Sequence, residues 1–290
     1  MKNRSYLQRF DQVELAVRQL GAGLPLVWGH SLLGSMAVED QAALWDWDDL
    51  EDICGVVRYD ARGHGNSDGS YDPQDYCWDQ MARDMLAVAE SAAHDSGVDR
   101  YVLGGISMGA ATALQAAVSQ PDRVAGLVLV LPPTAWTTRP RQAAIYRRMS
   151  WVSGLLGATP FRMLDWLPVP ARRDGRSRLA LSTAKGLAHA NPRHVQAALR
   201  GAALSDMPER SLLAKLDVPT LILAWEDDMA HPVSTALELS ETLPVLDSLV
   251  ISDPADIGDW MPALRKFLKR VIASRKRKAN AAARRRRTAA

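Results

Sequence analysis

Short apolar runs alternate with longer amphipathic segments along most of the chain. The longer segments have helical periodicity, for example Met81, Met85, Leu86 and Ala89 within 75–96. This alternation is typical of a mostly parallel sheet that is covered by helices on both faces, so the pattern predicts a doubly wound α/β fold. The predicted strands are 12–18, 25–30, 55–60, 100–106, 124–131, 219–225 and 247–252, and the predicted helices are 38–50, 75–96, 107–119, 233–243 and 259–274.

The alternation stops between about 133 and 212, where no strand pattern is visible. This stretch is rich in Arg and in large apolar residues, which indicates an insertion of a different architecture. Its large apolar side chains are Ile145, Met149, Trp151, Val152, Leu155, Leu156, Phe161, Met163, Leu164 and Trp166.

Composition limits the class of protein. The length of 290 residues and the 47% of apolar residues suit one large α/β domain, or one domain with an insertion. Cys54 and Cys77 are the two cysteines, too few for a disulfide framework or a cysteine-rich metal site. No apolar run approaches the ~20 residues of a membrane span, and no hydrophobic region of a secretory signal follows Met1. The sequence therefore predicts a cytoplasmic protein without a cofactor, a metal or a membrane span.

Charge is distributed unevenly. Twelve of the 35 Lys and Arg residues lie from Arg265 onward with no acidic residue, so the rest of the chain carries 23 basic and 33 acidic residues. Residues 275–290 have low complexity and no apolar stripe, which predicts a solvated, mostly disordered basic tail. The alternative is weak, salt-sensitive attraction of this tail to a polyanion, such as nucleic acid, anionic lipid or the acidic body of another copy. Specific nucleic-acid binding is not predicted, because the body is acidic.

The stretch Gly105-Ile106-Ser107-Met108-Gly109 carries the strongest chemical signal. An apolar strand precedes this Gly-x-Ser-x-Gly and an alanine-rich helix follows it. A serine on such a tight turn presents its hydroxyl at the N-terminus of a helix, where backbone N–H groups favour a developing negative charge. The motif therefore predicts that Ser107 is a nucleophile.

Three further blocks resemble the α/β-hydrolase family in the order of that family: Leu26–Ser35, the Asp-x-Arg-Gly-His-Gly-x-Ser segment within Arg58–Asp68, and Val218–Asp228. The nearest subgroups are small esterases, enol-lactonases and cofactor-free haloperoxidase-like hydrolases. The resemblance implies a hydrolase core at 1–132 and 213–274 and a helical lid at 133–212. The apolar side chains of that lid would either roof a cleft above Ser107 or only pack the lid against the sheet.

The resemblance also implies an oxyanion hole made of two backbone N–H groups. One would come from Met108, which follows the nucleophile, and the other from Leu32, in the loop after the strand that ends at Gly29-His30. Many relatives have Gly at the position of Ser31, and that difference leaves the second donor less well defined.

The family spacing Gly-x-x-Asp-x-x-x-Pro maps onto Trp225–Pro232 and assigns the catalytic acid to Asp228. Asp227 is the alternative in a register shifted by one residue, and Glu226 is a weaker one. An acidic residue in such a loop is otherwise a solvated surface group, so only the spacing to Pro232 supports Asp228.

The catalytic base departs from the family pattern. Relatives carry a histidine after the last strand, whereas residues 253–260 contain none, and no histidine follows His231. His231 lies three residues beyond Asp228 and is the candidate for a displaced base; the alternative is that it caps the helix that begins near Pro232. The other histidines are interpreted as structural (His30, His64), exposed (His94) or part of the lid (His189, His194).

Two hypotheses of function follow. The first is a serine hydrolase of a small ester or lactone, with weak or atypical activity because the usual base is missing. The second is a non-catalytic protein of the same fold that binds a small apolar ligand under the lid. In both, the partner is a small molecule, and the oligomeric state stays open.

Overall fold

The computed structural model describes residues 4–157, 159–162, 168–169 and 174–288. Within them, one eight-stranded sheet has the strand order β1-β2-β4-β3-β5-β6-β7-β8. Strands β1 and β2 run antiparallel to their neighbours, whereas β3 to β8 are parallel. The strands are β1 (Arg4–Phe10), β2 (Val13–Leu20), β3 (Pro25–Gly29), β4 (Gly55–Tyr59), β5 (Tyr101–Ile106), β6 (Val124–Val130), β7 (Thr220–Trp225) and β8 (Val245–Ile251).

Helices cover both faces of the sheet. Those described are α1 (Met36–Ala42), α2 (Trp78–Asp95), α3 (Met108–Ser119), α4 (Arg139–Leu156), α5 (Thr159–Arg162), α6 (Gly175–His189), α7 (Pro192–Leu204), α8 (Arg210–Leu213), α9 (Val233–Thr242) and α10 (Trp260–Thr288). Helices α2, α3 and α9 pack on one face. Helix α10, with residues at the end of and after α1, packs on the other face. The predicted doubly wound fold is confirmed.

The central strands are buried along their whole length, because both of their faces carry helices. Strand β5, which precedes Ser107, lies between β3 and β6 near the middle of the sheet. Its C-terminal end therefore meets the ends of β3, β6 and β7 at one edge, which is where ligands bind in open α/β sheets.

The sequence pattern missed strand β1. This strand lies at the edge of the sheet and pairs only with β2. One of its faces is exposed to solvent, and its few apolar residues are interrupted by Gln8 and Arg9, so they form no continuous run.

The described part of 133–212 contains α4, α5, α6, α7 and α8 and no strand. Three of the apolar side chains singled out in this stretch, Met163, Leu164 and Trp166, lie outside the described residues.

The basic tail differs from the predicted disorder, because α10 continues as one helix through 275–288 to Thr288. The first turns of α10 are anchored by buried Leu264, Phe267 and Val271. Once such a helix has been nucleated, each further residue needs only the smaller cost of propagation, and the alanines of this segment have the highest helix propensity.

Candidate active site

Ser107 sits on a strained turn between β5 and α3. Its φ angle is 55°, in the left-handed region that residues with a Cβ atom rarely adopt. Both glycines of the motif are needed because β3 passes close by. A Cβ atom on Gly105 or Gly109 would lie 2.2 or 2.0 Å from the carbonyl oxygen of Gly29.

The turn places Ser107 at the N-terminal end of α3. Met108 is the first residue of this helix, so its N–H group is one of the four that have no partner within the helix. These groups and the helix dipole favour negative charge next to the serine.

The loop after β3 forms a tight turn in which the N–H of Gly34 donates to the carbonyl of Ser31 over 2.8 Å. Leu32 and Leu33 are its central residues, and Leu33 has a φ angle of 62°, at a position that usually takes glycine. The turn belongs to the loop in which the resemblance placed the second oxyanion donor.

Three side chains form a continuous hydrogen-bonded chain at the carboxyl ends of the strands. His231 Nε2 lies 2.7 Å from Ser107 Oγ, and His231 Nδ1 lies 3.0 Å from Asp228 Oδ2. A carboxylate accepts but does not donate, so Nδ1 carries the proton and Nε2 presents its lone pair to the serine hydroxyl. The imidazole of His231 thus joins the hydroxyl of Ser107 to the carboxylate of Asp228.

Asp228 is surrounded by donors. Its Oδ2 also accepts from Trp225 Nε1 over 2.9 Å, while its Oδ1 accepts from the N–H groups of Ala230 and His231. Burial raises the pKa of Asp228, but the hydrogen bond and charge of His231, with the donors of Trp225 and Ala230, outweigh burial and hold that pKa well below its ordinary value. The carboxylate is therefore ionised at neutral pH.

The segment from Glu226 to His231, here called the acid–base loop, follows directly from β7. The carbonyl of its Ala230 accepts from the N–H of Thr134, in the segment that follows β6, over 3.0 Å. Asp227 is the alternative acid in the register shifted by one residue, and its φ angle is 57°. The carboxylate that contacts the imidazole of His231 is that of Asp228.

His30 and His64 contact the backbone instead. His30 Nδ1 donates to the carbonyl of Ser31, and its Nε2 accepts from the N–H of Ala61. His64 Nδ1 lies 2.8 Å from the carbonyl of Arg62. Burial lowers the pKa of His30 to about 4 and that of His64 to about 3, so both are neutral at physiological pH.

The remaining histidines have other surroundings. The His94 side chain is exposed, His189 lines a cavity, and the ring of His194 packs against Tyr71.

The segment after β8, where the family resemblance predicts a histidine, leads into the core. It forms a short 3-10 turn over Pro254–Asp259 and ends at Trp260, whose side chain is fully buried. The indole ring of Trp260 stacks on that of Trp225 at 5.4 Å. The aromatic packing thus supports the indole that donates to Asp228.

Arg139 fastens the helical insertion to the core. This buried guanidinium donates to the carbonyls of Ser205 and Ala202 and lies 4.2 Å above the ring of Trp78. It connects the start of α4 with the end of α7 and with the first residue of α2, a helix that packs on one face of the sheet.

Two cavities lie along the insertion. One, of about 410 Å³, is partly polar, and its lining includes His64, Asn66 and Lys185. The other, of about 430 Å³, is mostly apolar; its lining includes Leu33, Ile145, Met149, Val152, Leu156, Phe161 and Leu199. Leu33 borders both, and of the described residues that line either cavity none is Ser107 or His231.

Over the part of the chain that the structure describes, no group of three or more His, Cys, Asp or Glu side chains is arranged to hold a metal ion. None of the helices in the same part is long and apolar enough to cross a bilayer.

Comparison with known proteins agrees with the fold. The chain belongs to the α/β-hydrolase family Hydrolase_4, described as "Serine aminopeptidase, S33", whose model matches residues 52–253. That range contains Ser107, Asp228 and His231.

Individual relatives have low sequence identity to this chain. A protein of Caulobacter segnis named "Putative carbamate hydrolase RutD" is 29% identical over 268 residues, which cover 85% of this chain and 94% of that protein. The structure of a thermophilic esterase from Thermogutta terrifontis superposes with a TM-score of 0.72 at 23% identity, over 93% of this chain and 99% of that one. The enol-lactonase of Burkholderia xenovorans LB400 superposes with a TM-score of 0.64 at 21% identity, over 92% of this chain and 100% of that one. At these identities the structural likeness shows the fold alone.

Proposed function

We propose that this protein is a serine hydrolase that cleaves a carboxylic ester or lactone. The observation that carries the proposal is the unbroken contact from Ser107 Oγ to His231 Nε2, at 2.7 Å, and from His231 Nδ1 to Asp228, at 3.0 Å. Nucleophilic catalysis by serine needs a base within hydrogen-bond reach and a third group that orients the base, and these two contacts support both roles.

In the first half of the reaction, Ser107 Oγ attacks the ester carbonyl while His231 Nε2 takes the hydroxyl proton. Asp228 stays ionised, orients the imidazole and stabilises its cationic form. The N–H groups of Met108 and Leu32 hold the oxyanion of the tetrahedral intermediate. The intermediate collapses when His231 returns the proton to the leaving alkoxide, which departs as an alcohol and leaves an acyl-enzyme.

In the second half, water attacks the acyl carbon and gives its proton to His231. The second tetrahedral intermediate then expels Ser107 Oγ, which regains the proton from His231, and the carboxylic acid is released. In a lactone the alcohol and the acid are parts of one molecule, so the product is a single hydroxy acid.

The apolar cavity of about 430 Å³ favours a substrate with an apolar acyl or alkyl part. Its volume lies in the range of small-molecule sites. Leu33 lines it and is the immediate neighbour of Leu32, the proposed oxyanion donor, so a chain bound beside Leu33 would extend from the reacting carbonyl into the insertion.

Carbamate hydrolysis is a second candidate, and the observation that favours it is the similarity to curated relatives named as carbamate hydrolases. The same serine, base and oxyanion groups would serve, because a carbamate also passes through a tetrahedral intermediate.

The contact of His231 with Ser107 changes two expectations from the sequence. The sequence predicts weak activity because no histidine follows β8, whereas the contact of His231 with Ser107 supports ordinary serine reactivity. The non-catalytic alternative rests on the same missing histidine and therefore loses its main argument.

The decisive experiment combines covalent labelling with a substrate panel. A fluorophosphonate probe should label wild-type protein rapidly, and Ser107→Ala should abolish labelling, because only an activated hydroxyl reacts fast. Matched p-nitrophenyl esters with acyl chains of increasing length, a set of lactones and an aryl carbamate then rank the substrate classes.

A control variant, Ser240→Ala, removes a hydroxyl that donates within α9, outside the proposed site, and should label like wild type. Absence of labelling in folded wild-type protein, with tight binding of an apolar ligand, would contradict the proposal and support the non-catalytic alternative. Turnover of the carbamate above all esters would move the assignment to the second candidate.

A further inference from the structure

The acid–base loop carries both partners of Ser107 on one short segment. Asp228 and His231 are three residues apart, so a single displacement of the loop moves both side chains relative to the serine. The distance from His231 Nε2 to Ser107 Oγ therefore depends on what holds this loop against the rest of the protein.

Contacts within the loop tie its acid and its base together. The carboxylate of Asp228 accepts from the backbone N–H groups of Ala230 and His231 as well as from His231 Nδ1. These bonds preserve the Asp228–His231 pair, but they do not set its distance from Ser107.

Arg176, in the first turn of α6, holds the loop from outside. Its guanidinium donates to the carbonyl of Asp227 over 3.0 Å and also to the carbonyl of Glu226. The same group lies 5.1 Å above the ring of Trp225, the residue that donates to Asp228. One side chain of the insertion thus contacts the strand end and both carbonyls that flank the Cα atom of Asp227.

The backbone at Asp227 needs such support. Its φ angle of 57° is unfavourable for a residue with a Cβ atom, so the loop is strained at the point that Arg176 contacts. Release of the two carbonyls would let this residue relax and turn the segment that follows.

Two sets of contacts hold the start of α6, and therefore Arg176, in place. Asp174 caps α6 by accepting from the N–H and the hydroxyl of Ser177. A Cβ atom on Gly175 would lie 2.6 Å from Ile257 Cδ1, so the start of α6 packs closely against the turn after β8.

We propose that Arg176 is a positioning residue that holds the acid–base loop so that His231 reaches Ser107, which makes the reaction depend on the docking of α6. This inference rests on the proposed function. Arg176 contacts neither the serine nor the imidazole in the described contacts, and it acts through the backbone of Glu226 and Asp227.

The test compares Arg176→Ala and Arg176→Lys with a matched control, Arg178→Ala. Arg178 lies on the same helix, two residues on, and donates to the carbonyl of Ala43 instead of the acid–base loop. Steady-state kinetics are measured with the best ester of the substrate panel, together with thermal midpoints and a crystal structure of Arg176→Ala.

We expect Arg176→Ala to lower kcat by about 10- to 100-fold with KM within about twofold, because misplacement of a catalytic group by about 1 Å has effects of this size. Arg176→Lys should recover part of kcat, since an ammonium can reach one carbonyl. Arg178→Ala should keep the kcat of wild type. In the crystal structure the Asp228–His231 contact should persist while His231 Nε2 moves away from Ser107 Oγ.

An unchanged kcat in Arg176→Ala would overturn the proposal, as would an equal loss in Arg178→Ala or an unchanged His231–Ser107 distance. If the wild type shows no Ser107-dependent turnover, the proposed function fails. The distance in the variant crystal then still decides whether Arg176 positions the loop.

Discussion

The loops that follow β7 and β8 lie side by side at one edge of the sheet and differ in what they contribute. The acid–base loop after β7 is partly exposed, strained at Asp227, and contacts Ser107 through His231. The turn after β8 contributes no histidine and leads into Trp260, which is fully buried in an aromatic stack. The proposed chemistry is thus concentrated on one loop, and the other supports it by packing.

The proposed base lies on the loop after β7, whereas the family resemblance leads to the expectation of a base after β8. Parallel strands deliver their C-terminal ends to one edge, so side chains after β7 and side chains after β8 both lie near the space next to Ser107. A base is defined by its distance to the nucleophile and not by the strand that it follows.

Removal of His231, the proposed base on the loop after β7, should have the largest effect on turnover. We expect His231→Ala to lower kcat by at least about 10⁴-fold with the fold intact, because members of such a triad act as a unit. Adding Asp256→His should not restore activity, since Asp256 is exposed to solvent in the turn after β8. Ester kinetics of the single and double variants measure this, and recovery in the double variant would show that the β8 loop still has access to Ser107.

Shortening the side chain of Trp260, after β8, should lower the stability of the fold more than it lowers kcat. Trp260→Ala removes a fully buried indole and should lower the free energy of unfolding by about 3–5 kcal/mol. Urea denaturation checks this, with Trp260→Phe as the milder control. Protein that remains folded at low temperature should keep kcat within about tenfold of wild type. A loss as large as that of His231→Ala would contradict the division of roles.

The bridge between the two loops can be tested with Trp225→Phe. This change keeps an aromatic ring against Trp260 but removes the N–H that donates to Asp228 over 2.9 Å. We expect kcat to fall about tenfold, corresponding to about 1.4 kcal/mol for one hydrogen bond to a charged group. An unchanged kcat, measured on the same ester, would mean that the backbone N–H donors suffice to orient the acid.

The smallest expected effect is a change in how the free energy of unfolding depends on pH. The pKa of Asp228 is lower in the folded protein than the ordinary ~3.9 of an unfolded chain, so its ionised form stabilises the fold above about pH 4. This contribution is lost as the pH falls through the folded-state pKa. Asp228→Asn should therefore be less stable than wild type at pH 6, by on the order of 1 kcal/mol, and the difference should shrink below about pH 4. Denaturation curves at about pH 6 and pH 3 provide the measurement, and a constant difference would contradict the assignment.

Local sequence patterns were sufficient to predict the elements that depend on neighbouring residues alone. Strand β5, which leads to Ser107, is a continuous apolar run, and Gly105 and Gly109 mark the close approach of β3. The basic tail shows the limit of this reasoning. The composition of residues 275–290 predicts disorder, whereas α10, whose first turns pack against the core, continues through this segment to Thr288.

The sequence by itself determined the mostly parallel sheet and the turn at Ser107, because the sheet follows from the alternation of apolar runs with amphipathic segments and the turn follows from five consecutive residues. Only the tertiary structure decided that His231 reaches Ser107, a residue 124 positions away, and that Arg176 contacts the loop that carries the histidine. Such contacts depend on where the packing of the whole core places separate elements. No periodicity or local spacing encodes a distance of 2.7 Å across that separation.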